Sequence, residues 1–193
     1  DARELITLLK KLETQDFGGL EKHLGLPAIF NEKKVKNPQN KKIVLTLLEG
    51  FVLKLGDRSE TYQQYAQRAC DLADELITNA IFNANPRLRN ESRDNIFELS
   101  DNEMIKIKWG FDGALFGMSV TDPFGSLTKE TVLKYLSRKL NSTPFSSRVS
   151  ASGVGIKLIF ERLHHFIVNI KKDQKTEIIC LMKFEKKFKD FDK

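Results

Sequence analysis

The segment Asp74-Glu75-Leu76-Ile77-Thr78-Asn79-Ala80 sets a carboxylate and an amide four residues apart. On a helix, that spacing puts Glu75 and Asn79 on one face. The carboxylate can orient or deprotonate an attacking water or hydroxyl. The amide oxygen suits Mg2+, a hard cation that keeps several waters and binds beside phosphates. A lone E-x-x-x-N is most often a solvated helix face. Here Leu76, Ile77 and Ala80 flank the pair, so the polar groups are embedded in a helix that should face the core.

Two further segments have the composition of ligand loops. Val120-Thr121-Asp122-Pro123-Phe124-Gly125 places a carboxylate at the end of an apolar segment and follows it with a tight turn. Such an acceptor can take the exocyclic amine of a purine, or it can simply end a strand in an Asp-Pro turn. Ser150-Ala151-Ser152-Gly153-Val154-Gly155-Ile156 opens a helix. Glycines let backbone approach a ligand, and the free amides of a helix start attract phosphate. It is not a dinucleotide fingerprint, because no parallel βαβ unit surrounds it, and no Gly-Lys-Ser/Thr of a Walker loop occurs anywhere.

Hydropathy patterning supplies the elements that position these groups. Leu5, Leu8, Leu9 and Leu12 follow helical spacing up to Gly18-Gly19. Gly25, Pro27, Asn31, Asn37 and Pro38 mark residues 25–40 as loop or linker. Val44, Leu47, Leu48, Phe51, Val52 and Leu55 form the stripe of a second helix, with Gly56 at its end. A third helix starts near Ser59, runs to about Ala84 and stops at Pro86. Residues 85–103 read as a polar loop with a short apolar patch at Ile96–Leu99.

The period then changes to two. Ile105, Ile107 and Trp109 alternate with lysines, Phe111-Asp112-Gly113 turns, and Leu115–Thr121 returns, so a hairpin is expected. Thr128 can cap a helix with Val132, Leu133, Leu136 and Leu140 on its apolar face. Residues 141–153 read as loop and Gly155–His164 as helix. A last hairpin is expected at Phe166–Ile170 and Ile178–Phe184. Short turns pair strands antiparallel, and helices must cover one face. The expectation is an α+β, two-layer α/β sandwich with a mostly antiparallel sheet.

Composition narrows the function classes. The 193 residues are 40% hydrophobic and 30% charged, a globular balance that argues against disorder. No apolar run reaches the roughly 18 residues of a spanning helix, so no membrane partner is expected. Cys70 and Cys180 sit in no metal or redox spacing, which rules out a disulfide scaffold or zinc ribbon and makes a reducing, cytoplasmic setting the default. Cys70 reads as a small core residue. The net charge of +6 suits an acidic partner. Residues 171–193 hold eight lysines against five acidic residues, with Phe184, Phe188 and Phe191 interleaved. A solvated amphipathic tail explains that pattern better than a nucleic-acid groove. Direct nucleic-acid binding rests on charge alone and is the least favoured reading.

Taken together and in this order, the three ligand segments resemble the motifs of the GHKL family, the histidine-kinase-like ATPases with the Bergerat ATP-binding fold. Within it the likeness is nearest to the anti-sigma-factor kinases and related regulatory ATPase domains. Asp74–Ala84 looks like the N box, Val120–Gly125 like the first Gly box, and Gly153–Ile156 with the helix after it like the second. The likeness covers about residues 59–184.

The resemblance implies Mg-ATP as ligand and a role for each position. Glu75 would be the general base, and Asn79 would hold Mg2+ with Asn83 near the phosphates. Asp122 and Gly125 would form the adenine end, with Thr176 supporting the base. Gly153 and Gly155 would cradle phosphates under a lid. This chain departs from the family's D-x-G-x-G: Asp122 is followed by Pro123, Phe124 and one glycine, Gly125. That predicts a remodelled adenine pocket or a low nucleotide affinity.

Residues 59–193 are then expected to be the ATP-binding domain. Residues 1–58 would be a helical extension or linker that can pack on it, dimerise it or join it to an upstream domain. No histidine fits a phosphoacceptor. His23 precedes Leu24-Gly25, and His164-His165 ends a helix. The expected function is transfer of the γ-phosphoryl group to a partner protein, such as a small antagonist, or to water. The alternative is a docking module with weak or lost nucleotide binding that engages a sigma factor or receiver domain.

Overall fold

Ile105, Ile107 and Trp109 point to one side of their strand and Lys106 and Lys108 to the other, and this alternation organises the whole sheet. The computed structural model describes residues 18–56, 58–89, 91–92, 96–133 and 163–184, with positions 5, 6, 9, 12 and 13. Among them, five strands form one sheet: β1 (Ile29–Val35), β2 (Ile105–Phe111), β3 (Leu115–Asp122), β4 (His165–Lys171) and β5 (Lys175–Lys183). Their order is β1-β2-β3-β5-β4, and every neighbouring pair is antiparallel. Both expected hairpins are present.

Two long helices cover one face: α1 (Pro38–Leu55) and α2 (Glu60–Asn79), the latter continued by a π turn at Ala80–Ala84. Val44, Leu48 and Val52 of α1 and Ala69, Leu76 and Ile77 of α2 pack with Trp109, Phe116, Met118 and Cys180 in one core. The architecture is the α+β sandwich, with an open, antiparallel sheet. Trp109 and Phe116 are at most 1% exposed. Burying an apolar side chain of this class stabilises the fold by roughly 1.5–3 kcal/mol.

The other face is treated differently. Leu20 and Leu24, from the segment around a single 3-10 turn (Leu20–Lys22), pack on Ile179 and Leu181 as a small second cluster. Gly117 permits this, because a Cβ there would lie 2.7 Å from Leu20 and 3.2 Å from Leu24. Glu177 fixes the same segment: its Oε2 accepts from the Gly19 amide at 2.9 Å and from Asn169 Nδ2 at 3.2 Å.

Several expectations need correction. Residues 25–40 are not simply a linker, since they contain β1, paired along its length with β2. β1 is an edge strand with only Val35 buried, so its sequence is mostly polar. Asn37 and Pro38 do not continue a loop. They start α1, with Asn37 Oδ1 accepting from the Asn40 amide at 2.9 Å and proline at the first helical turn. Residues 29–55 thus build the layers themselves, with α1 packed in the core beside α2.

Leu47, expected in the apolar stripe of α1, is 44% exposed. The described N-terminal positions are helical, yet Leu5, Leu9 and Leu12 are exposed. Leu163 and His164, expected to end a helix, are not helical; instead the His164 Nδ1 accepts from the Lys183 amide at 3.0 Å. Residues 134–162, and with them Leu136, Leu140, the 141–153 loop and most of the expected helix that follows, lie outside the described residues, as does the tail beyond Phe184.

Candidate functional site

The C-terminal half of α2 and the π turn after it carry a row of half-buried polar residues at 75, 79 and 83. They form a ladder. Asn83 Nδ2 donates to Asn79 Oδ1 at 2.6 Å, and Asn79 Nδ2 donates to Glu75 Oε1 at 2.8 Å. The ladder crosses the junction where α-helix becomes π turn. A π turn costs helical regularity and is commonly found at functional sites, because it re-aims the side chains after it. Beside the ladder, Lys41 of α1 holds the neighbouring stripe. Its Nζ lies 2.7 Å from Asp74 Oδ1 and 2.7 Å from Thr78 Oγ1. Lys41 therefore engages Asp74, while Glu75 belongs to the asparagine row.

Across from the ladder stands the end of β3. Asp122 is buried, and burial pushes its carboxyl above the ordinary aspartate range; the Phe124, Gly125 and Thr176 amides and the Thr176 hydroxyl oppose the shift. Its Oδ1 accepts from the Phe124 amide at 2.9 Å and the Gly125 amide at 3.1 Å, an Asx turn that ends the strand. Thr176 faces Asp122 in the β3–β5 register and is 1% exposed. Its Oγ1 is near enough to favour the carboxylate, but it has no partner of hydrogen-bond geometry among the described residues. A buried hydroxyl without such a partner is costly unless something else binds it.

Between these walls lies a cavity of about 490 Å3. Leu76, Asn79, Ala80 and Asn83 line one side, and Val120, Asp122, Thr176 and Ile178 the other. Ser126, Leu127, Thr128 and Thr131 close a third side. Ser126 ties that side to the π turn by donating to the Ala84 carbonyl at 3.0 Å. The volume lies within the ordinary range for small-molecule sites, and the mix of apolar walls with a few convergent polar groups is also typical of them. None of the described residues that line it is aromatic.

Four residues expected at one site, Asn79, Asn83, Asp122 and Thr176, thus line one cavity. Glu75 joins through Asn79 rather than from the lining itself. Gly125 stands behind the cavity wall. Its φ is +61°, and a Cβ there would come within 2.2 Å of the Lys171 carbonyl, so its glycine is explained by docking the turn on the β4–β5 hairpin. Phe124 packs against the main core. Gly153 and Gly155 lie outside the described residues.

Sequence reasoning missed Arg89, Ser126, Thr128 and Thr131 as residues that line the cavity. The signal for Arg89 was present as Arg87-Leu88-Arg89 in a polar loop directly after the helix. Thr128 is also the expected cap: its Oγ1 accepts from the Thr131 amide at 3.2 Å. Cys70 packs against the main core, where burial raises its thiol to about 12 and its Sγ donates to the Leu45 carbonyl at 3.5 Å. It is a structural thiol.

Among the described residues, no cluster of three His, Cys, Asp or Glu side chains could cage a metal, and no helix is long and apolar enough to cross a membrane. The oxygen donors of Glu75, Asn79 and Asn83 nevertheless lie along one helix face, the donor chemistry a hard cation takes.

No family model matches the chain, and no curated protein matches it. Among solved structures it is similar to a chain in the crystal structure of the SiaB–SiaC complex from Pseudomonas aeruginosa. The two are 10% identical, with a TM-score of 0.53, over 93% of this chain and 99% of that one. At that identity the likeness is one of fold.

Proposed function

We propose that this chain is a regulatory Mg-ATP-binding domain of the GHKL type, which transfers the γ-phosphoryl group to a hydroxyl of a partner protein or to water. The observation that carries the reading is the single cavity whose walls come from separate sequence segments: the asparagine ladder on one side, Asp122 with Thr176 on the other. A buried acceptor at one end and neutral amide donors and acceptors along the opposite wall match a purine amine and a polyphosphate. In this account Asp122 accepts from the adenine amine through the oxygen not used by its turn, and the Thr176 hydroxyl finds its partner on the base. Glu75 orients and deprotonates the attacking hydroxyl, held in place by Asn79. Asn79 and Asn83 offer the amide oxygens for Mg2+, which when bound neutralises phosphate charge. Phosphoryl transfer asks mainly for such positioning and charge neutralisation.

The neighbouring fold comes from a complex of two proteins, which favours a protein as the phosphoryl acceptor. It also supports the second reading, a docking module in which the pocket binds nucleotide weakly or not at all. The engagement of Asp122 Oδ1 by its own turn favours that reading further. Turnover separates the two. Glu75→Ala is expected to keep Mg-ATP binding and to lower phosphate release or transfer by about 100-fold or more, the size of a lost general base. Unchanged turnover in that variant would remove Glu75 from the chemistry, and no thermal stabilisation of the wild type by millimolar Mg-ATP would leave the docking module.

A further inference from the structure

The loop after the π turn delivers one cation to the cavity. Arg89 lines it, and among the described lining residues it is the only basic side chain, as Asp122 is the only acidic one. We propose that Arg89 is the residue with which this pocket reads a phosphate chain, setting its preference among nucleotides of different phosphate number. The inference rests on the nucleotide reading above.

The placement of Arg89 is built rather than incidental. Its Nε donates to the Asn83 carbonyl at 3.1 Å, so its guanidinium is tied to the last polar rung of the ladder. Both terminal nitrogens are left without a partner among the described residues, and their planar fork matches two phosphate oxygens.

The residue before it, Leu88, is buried and anchors the chain, with its amide on the Asn85 carbonyl at 3.2 Å. Arg87 points the other way and closes on Glu103 through two hydrogen bonds of 3.1 and 2.9 Å, and on the Glu98 carbonyl at 2.9 Å. Asn85 also donates to Glu103 at 3.1 Å. The loop is thus fixed at 85, 87 and 88, and Arg89 projects from a held backbone. Arg89 is itself exposed, and a guanidinium tethered at Nε loses less freedom on binding than an untethered one. It stands on the same wall as Asn79 and Asn83, while Asp122 lies across the cavity. That polarity sorts a ligand with a donor amine at one end and anionic oxygens at the other.

Arg89 also tethers the π turn, and the test must tell the two roles apart. Titration calorimetry with adenosine, ADP and ATP, each with Mg2+, on the wild type, Arg89→Gln and Arg89→Lys does so. The wild type is expected to bind the phosphorylated ligands more tightly than adenosine. Arg89→Gln is expected to weaken ATP and ADP by about 10- to 100-fold, the range for a charge-assisted pair, and to leave adenosine affinity and the melting temperature unchanged. Arg89→Lys restores part of the loss, as a point charge without the fork. Unchanged ATP affinity in Arg89→Gln overturns the proposal while the nucleotide reading stands. Equal loss for adenosine and ATP also overturns it, since Arg89 would then act only as a tether. A wild type that binds none of the three overturns the nucleotide reading and this inference with it.

Discussion

The two faces of the sheet use the same strands to opposite ends. The inner face buries Ile105, Ile107, Trp109, Phe116, Met118, Cys180 and Met182 beneath two helices. The outer face is covered by a short segment that places only Leu20 and Leu24 over Ile179 and Leu181. The inner face carries the stability and, where its packing opens at the helix end, the cavity. The outer face is a clip held by two leucines and one buried carboxylate, Glu177. The contrast shows where a site can be afforded. Polar groups line a cavity at the edge of the large core, where surrounding packing holds them.

The largest effect is expected where the inner packing is densest. Trp109→Ala should cost about 3–5 kcal/mol in urea or thermal unfolding, and Leu20→Ala on the outer face about 2 kcal/mol, because the thinner cover can collapse into the space left. Equal costs would mean that the outer clip is as integral as the helical layer.

A smaller effect separates the loop that carries Arg89 from both faces. Arg87, the Ser100 amide and hydroxyl, and Asn85 hold the Glu103 carboxyl down to about 2, against an ordinary 4.5. A depressed carboxyl stabilises the fold above its unfolded value and loses that contribution as pH falls from about 4.5 toward 2. Urea midpoints of the wild type should therefore fall on acidification through pH 4.5 to 3, and those of Glu103→Gln should fall less. Parallel curves would show that the loop is held by something else.

The smallest effect has the opposite sign. Burial raises the Asp122 carboxyl, so its contribution is intact below the ordinary value of 3.8 and is lost as pH rises through the folded value. Asp122→Asn keeps an acceptor for the Phe124 and Gly125 amides but carries no charge. At pH 7 it should melt at the same temperature as the wild type or slightly above, with the advantage shrinking toward pH 4, and it should bind ATP more weakly. A clear destabilisation at pH 7 would show that the charge is fully compensated in the fold.

Much of this was legible in the residues, for physical reasons. Alternation at Ile105–Trp109 forced a half-buried strand, and the four-residue steps of Glu75, Asn79 and Asn83 forced one helix face. The edge strand was not legible. Ile29–Val35 buries one residue, so its pattern is that of solvent, and Asn37-Pro38 reads equally as a turn or a helix start until the Asn40 amide is seen on Asn37. The π turn was invisible because no propensity marks it. Arg89 was present only as a basic residue in a polar loop; its place at the cavity depends on Arg87 and Glu103, sixteen residues apart, meeting across the loop. Gly125 illustrates the reverse case: its type fitted a ligand loop, while its contacts answer to the β4–β5 hairpin.

The central claim is that the cavity between the asparagine ladder and Asp122 is a nucleotide site. A crystal structure grown with Mg2+ and a non-hydrolysable ATP analogue tests it most directly. The account predicts the adenine amine on Asp122, the base against Thr176 and the phosphates along Asn79, Asn83 and Arg89. Analogue bound elsewhere, or a cavity that stays free of it at millimolar concentration, would contradict it.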